Sequence, residues 1–97
     1  MSPDQFEASL SEPNAPPELS RPLRALWLDA KGDFEAAHAI AQSLPDPDGA
    51  RIHGYLHRKE GDESNARYWY SRAHTSFPRQ SLEHEWKALV ERFAAGG

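Results

Sequence analysis

The 97 residues contain no cysteine. That excludes disulfides, thiolate metal sites and a cysteine nucleophile, and it fits a reducing compartment, with the cytoplasm as the default location. Long hydrophobic runs are also missing: the longest aliphatic or aromatic stretch is Ala25 to Leu28, and the first residues carry Asp4 and Glu7 where a secretory leader needs basic residues. Neither a signal peptide nor a membrane span is expected. Positive charge is absent from residues 1 to 20, which hold Asp4, Glu7, Glu12 and Glu18, whereas residues 21 to 97 hold eleven charges of each sign. The net charge of -4 therefore belongs to the N-terminal segment. Between residues 50 and 80 six Arg or Lys face three carboxylates, too slight an excess for the basic footprint of a nucleic-acid binder. Finally, there is no G-x-S-x-G elbow, no G-x-x-x-x-G-K-[ST] phosphate loop and no H-E-x-x-H zinc helix. No catalytic residue, enzymatic activity or cofactor is expected.

What is present is helical punctuation. An apolar content of 38% and a mean hydropathy of -0.80 suit one small domain with a modest core. Ser2 before Pro3, with Gln5 three residues on, reads as a capping box opening a short helix through Leu10. Residues 11 to 18 contain three prolines and no apolar period, which marks a linker. Residues 1–18 are thus expected to form an acidic, proline-rich arm with a short helix, and residues 19–97 the folded domain. Five further helices are expected. The first runs from Ser20 to Lys31 and ends at Gly32; the second, capped by Asp33, stops at Pro45; the third starts at Asp46–Pro47 and ends at Glu60–Gly61. The fourth, capped by Asp62, runs to Thr75, and the fifth follows Ser81, with Leu82, Trp86, Leu89, Val90 and Phe93 on one face up to Gly96 and Gly97. The expected fold class is all-α: two stacked antiparallel helical hairpins and a C-terminal capping helix.

The two hairpins share their turn. Lys31-Gly32-Asp33 corresponds to Glu60-Gly61-Asp62, and Ala37 to Ala66, at an offset of 29 residues. Gly54, His57, Ala66-x3-Tyr70, Ala73 and Pro78 then follow the W-x2-L-G-x2-Y, A-x3-F, P pattern, so that residues 47 to 78 resemble a tetratricopeptide repeat. Ala50 and His53 stand where the pattern has tryptophan and leucine, the first hairpin keeps only its Gly-Asp turn and Ala37, and the offset is shorter than the usual period of about 34. The resemblance implies a protein-interaction scaffold presenting a concave face to a peptide or partner. Such solenoids bury their faces with about three repeats, so self-association as a homo-oligomer is the alternative expectation.

Three constellations carry candidate chemistry. Arg51, Tyr55 and Arg58 recur at i, i+4 and i+7, with Lys59 at the edge. In repeats of the resembling family this stripe lines the groove, and arginines flanking a tyrosine suit an acidic or carboxylate-bearing partner. The competing reading is a solvated basic face with Tyr55 partly buried against the Ser20–Lys31 helix, and the four carboxylates of residues 1–18 offer an internal cover for it. His53, His57 and Glu60 lie at successive helical steps and would project from one stripe toward a metal. Against this, His57 reads as a packing residue and His53 as solvated, so no metal is expected, and a metal-binding protein using these three residues stands as the lesser alternative to the scaffold and the homo-oligomer. Arg67-Tyr68-Trp69-Tyr70 mixes cation and aromatics as base-stacking surfaces do. However, Ala66, Trp69, Tyr70, Ala73 and Phe77 repeat with the period of a buried face.

Overall fold

In the computed structural model, which describes residues 1–95, local chemistry resolves into six helices: α1 (Pro3–Ser9), α2 (Arg21–Ala30), α3 (Phe34–Ser43), α4 (Asp48–Lys59), α5 (Glu63–Arg72) and α6 (Leu82–Ala95). No strand occurs among the described residues, and the fold class is all-α. The stop expected at Gly96–Gly97 lies outside the described residues. No helix is long and apolar enough to cross a membrane among those residues.

The caps show why the helices begin and end where they do. At α1, Ser2 Oγ accepts from the Gln5 amide at 3.1 Å and Gln5 Oε1 accepts from the Ser2 amide at 2.9 Å, satisfying two end donors reciprocally. The turns after α2 and α4 match bond for bond. Gly32 and Gly61 both have φ +89, a left-handed conformation that glycine adopts without a Cβ clash. Asp33 and Asp62 then send their amides back to the Leu28 and His57 carbonyls, each at 2.9 Å. Their carboxylates accept from the Ala36 and Asn65 amides at 3.1 and 3.3 Å, capping α3 and α5. Two boundaries differ from expectation. Pro47 occupies the N-cap of α4 without a side-chain cap, because the Asp46 carboxylate instead accepts from Arg72 at 2.6 Å. Helix α5 stops at Arg72 rather than Thr75, since His74 turns left-handed (φ 58) and the Thr75 amide closes back on the Tyr70 carbonyl at 3.1 Å.

Consecutive helices α2 and α3, and α4 and α5, pack most extensively on each other, while α4 also touches α2, α3 and α6. Helix α4 is therefore the central element, and of residues 49–57 only Arg51 keeps partial exposure. The core joins Leu23, Leu26 and Trp27 of α2, Ala37 and Ala41 of α3, Ile52, Tyr55 and Leu56 of α4, and Leu89, Val90 and Phe93 of α6.

The division into an arm (1–18) and a domain (19–97) needs correction. Phe6 is fully buried, its ring 5.8 Å from that of Trp86 on α6. Trp27 Nε1 donates to Ser9 Oγ at 3.1 Å, and Lys31 Nζ donates to the Leu10 and Glu12 carbonyls at 2.8 and 3.2 Å. Burying one phenylalanine gains about 1.5–3 kcal/mol, enough to dock a two-turn helix that would be marginal alone. The segment thus completes the core against α6 and α2, and does not fold over the Arg51–Tyr55–Arg58 stripe.

Candidate functional site

Three of the four residues read as a partner-binding stripe have partners within the chain. Tyr55 is buried; burial, and then the neighbouring Asp29 carboxylate, push its phenol above the ordinary range. Lys59 Nζ donates to Asp29 Oδ1 at 3.0 Å. Arg58 Nη1 donates to Glu85 Oε1 at 2.8 Å and its Nη2 donates to the Gln80 carbonyl. The expected acidic partner of Arg58 and Lys59 is therefore the chain itself, supplied by α6 and α2. The spacing put these residues on one helix and allowed Tyr55 to pack on the preceding Ser20–Lys31 segment, but it did not show that Glu85 and Asp29 take up Arg58 and Lys59.

Arg51 is different. It lines an open cavity of about 860 Å³ between α4, the 73–81 connection and α6, together with Arg67, Arg79 and Arg92. Its Nε is buried without a hydrogen-bond partner. Burial, and next the nearby charge of Arg92, push its pKa below the usual guanidinium range, against the opposing influence of Asp48. Arg51, Arg79 and Arg92 make no ion pair among the described residues. Arg67 is held by Glu63 at 3.1 Å and lies 4.3 Å over the Phe77 ring. The one carboxylate in the lining, Glu85, is already engaged: besides Arg58, it accepts from the Tyr70 hydroxyl at 2.6 Å. Burial, and then this bond to Glu85, raise the Tyr70 phenol. The cavity thus combines concentrated positive charge with an aromatic wall, an arrangement that favours bidentate binding of carboxylates or other planar oxyanions. Arg67 stood out in the sequence only within its aromatic run, and Arg79 and Arg92 not at all, because the three lie on separate segments and no single periodicity links them to Arg51.

The histidines gather elsewhere. His53 and His57 of α4 are buried, and His38 of α3 joins them half-buried. The His38 and His53 Nε2 atoms are 3.1 Å apart, and Glu60 Oε1 meets His57 Nδ1 at 2.5 Å. The expectation that His53 is solvated is overturned. Its ring stacks on Trp69 at 3.9 Å between centroids and is enclosed by α3 and α5. Burial, then the His38 and His57 rings, pull the His53 pKa down to about 4, and burial with His57 lowers His38. His38 sits one turn after Phe34, next to the inward Ala37, and its place on that face was the available signal.

The buried-face reading of α5 holds for Ala66, Tyr70 and Ala73. Trp69 and Phe77 are half-buried, Trp69 because His53 covers one face and Arg72 lies 4.9 Å over the ring. Tyr68 projects into solvent. Comparison with protein-family models, with curated proteins and with solved structures finds no match to this chain.

Proposed function

We propose that the chain is a non-enzymatic, tetratricopeptide-like scaffold that binds an acidic or carboxylate-bearing peptide or partner, and that the seat of that partner is the cavity of Arg51, Arg67, Arg79 and Arg92. The observation that carries this reading is Arg51, a half-buried guanidinium with an unpartnered Nε beside a second, unpaired arginine. Two like charges facing a common space repel in the free protein, and a carboxylate placed between them relieves that repulsion. The repeat-like reading draws support from the close approach of α4 and α5. A Cβ built on Gly54 would lie 3.0 Å from the Tyr70 ring, which is the contact that small residues at these pattern positions serve. Obligate homo-oligomerisation draws little support from the surface, where Met1 and Tyr68 are the large apolar side chains left exposed among the described residues.

The test is fluorescence anisotropy of a labelled oligoglutamate peptide against its oligoglutamine counterpart. Saturable binding of the acidic peptide alone, weakening as salt is raised, is expected. Each charge-assisted contact is worth about 1.5–3 kcal/mol. Replacing Arg51 and Arg92 together by glutamine should therefore weaken binding by at least about tenfold with an unchanged helical spectrum. Equal affinity in wild type and double variant would remove the cavity from consideration.

A further inference from the structure

A second site lies apart from the arginine cavity, none of whose lining residues it shares. We propose that His38, His53 and His57 bind one divalent transition-metal ion of the zinc class, with Glu60 orienting His57. Each imidazole offers a nitrogen, and the three nitrogens lie within 4.8 Å of one another. His53 and His57 stand four residues apart on α4, which sets both on one face, and His38 faces them from α3, its ring centroid 4.6 Å from that of His53 and 5.3 Å from that of His57. Two nitrogens sharing a tetrahedral ion at about 2.0–2.1 Å are separated by about 3.3 Å. The His38 and His53 Nε2 atoms, 3.1 Å apart, already stand at that spacing, and the His57 nitrogen, within 4.8 Å of them, would move inward by up to about 1.5 Å to reach it.

The surroundings fit metal ligation as well as the ligands do. With Glu60 Oε1 on Nδ1 at 2.5 Å, His57 carries its proton on that nitrogen, which leaves the Nε2 lone pair as the ligand; it now accepts from Asn65 Nδ2 at 3.5 Å, a long contact that an ion would replace. This carboxylate-histidine pairing orients and strengthens an imidazole ligand. The Trp69 ring stacked on His53 and the Phe34 ring stacked on His38 at 5.6 Å restrain both ligands. Three neutral imidazoles suit zinc, nickel, copper or cobalt better than calcium or magnesium, which prefer oxygen. They also leave a fourth position for water or an added ligand, reached from the half-exposed His38 side. In the other acidic grouping here, His57, Glu60 and Asp62, Asp62 is committed to capping α5, so the three-imidazole set is the one assigned. An ion there ties α3 to α4 and thereby stiffens the junction between the first and second pairs of helices.

The experiment uses the full chain without a histidine tag, stripped with chelator and then titrated with zinc or cobalt. Calorimetry should give one ion per chain, zinc should raise the melting temperature, and cobalt should give the visible absorption of a four-coordinate site. His38→Gln, at a half-buried position, should keep the helical spectrum and lose all three signals. Glu60→Gln should weaken zinc binding by about 10–100-fold, and His84→Gln, on exposed α6 surface, should change nothing. Absence of saturable one-to-one binding would overturn the assignment, as would binding that survives His38→Gln. Oligoglutamate binding is measured separately, so either site can fail without the other.

Discussion

Arg58 and His53 show how single side chains took structural duties that their spacing did not reveal. Arg58 bridges α4 to α6 through Glu85, whose carboxylate is 8% exposed in that pair. Arg58→Glu places a second carboxylate against a buried one, and breaking a buried pair costs about 3–5 kcal/mol. Urea denaturation should show a loss of about that size, whereas Arg51→Glu should leave the midpoint nearly unchanged. If the two variants melt alike, the division between structural and cavity arginines is wrong. His53 supplies a pH dependence. It is faced by His38 from α3, His57 from its own helix and Arg72 from α5, all disfavouring its charge, and by Asp46, which favours it. Its folded pKa is about 4 against 6.5 for the free side chain, so the unfolded chain takes up the proton first. The contribution to stability is complete above about pH 6.5 and is lost as pH falls toward about 4. Metal-free thermal melts between pH 4 and 7 should show this decline, and His53→Gln should flatten it; a variant as pH-sensitive as the wild type would assign the decline to other groups.

Among the elements, α1 departs furthest from the sequence reading. Residues 1 to 16 look dispensable by composition, yet Phe6 fills the core beside Trp86 and Ser9 satisfies the indole of Trp27. Phe6→Ala is expected to cost about 3–5 kcal/mol, a large part of the roughly 5–15 kcal/mol available to a domain. Deleting residues 1–16 should cost at least as much, and chemical denaturation measures both. Near-native stability of the truncated chain would show that α1 is not needed to complete the core. The α4–α5 pair depends on Gly54 for its close approach to Tyr70. Gly54→Leu should separate the helices and destabilise by about 3 kcal/mol through overpacking, and an unchanged melting temperature would deny that contact its importance.

At the scale of the whole molecule, charge and cohesion both depend on α4. The protein is acidic overall, with a net charge of -4, but four arginines converge on the cavity beside its central helix. A local field of one sign within a chain of the other would draw an acidic partner of the kind proposed above to one place. Because α4 touches α2, α3, α5 and α6, no helix pair is insulated from the rest. Unfolding should therefore be a single transition, with helical circular dichroism and tryptophan fluorescence coinciding. Trp27, Trp69 and Trp86 report from α2, α5 and α6 respectively. An early fluorescence change without loss of helix would reveal an independently melting part.

The chain's local chemistry by itself determined the helical class and most helix ends. Ser2 with Gln5, Gly32-Asp33, Gly61-Asp62 and Ser81 act on backbone groups within three or four residues, so their effect is written in adjacent letters. The 29-residue equivalence of the two turns was legible for the same reason. The partners of the side chains were decided only by tertiary packing. Periodicity shows which residues share a face, but not which helix covers that face or at what angle. Arg58 meets Glu85 across 27 positions, Lys59 meets Asp29 across 30, and His53 meets His38 across 15. The arginine cavity and the histidine cluster exist because α4 is enclosed by helices from both halves of the chain, so residues that read as one stripe were divided between internal ion pairs and an open cavity.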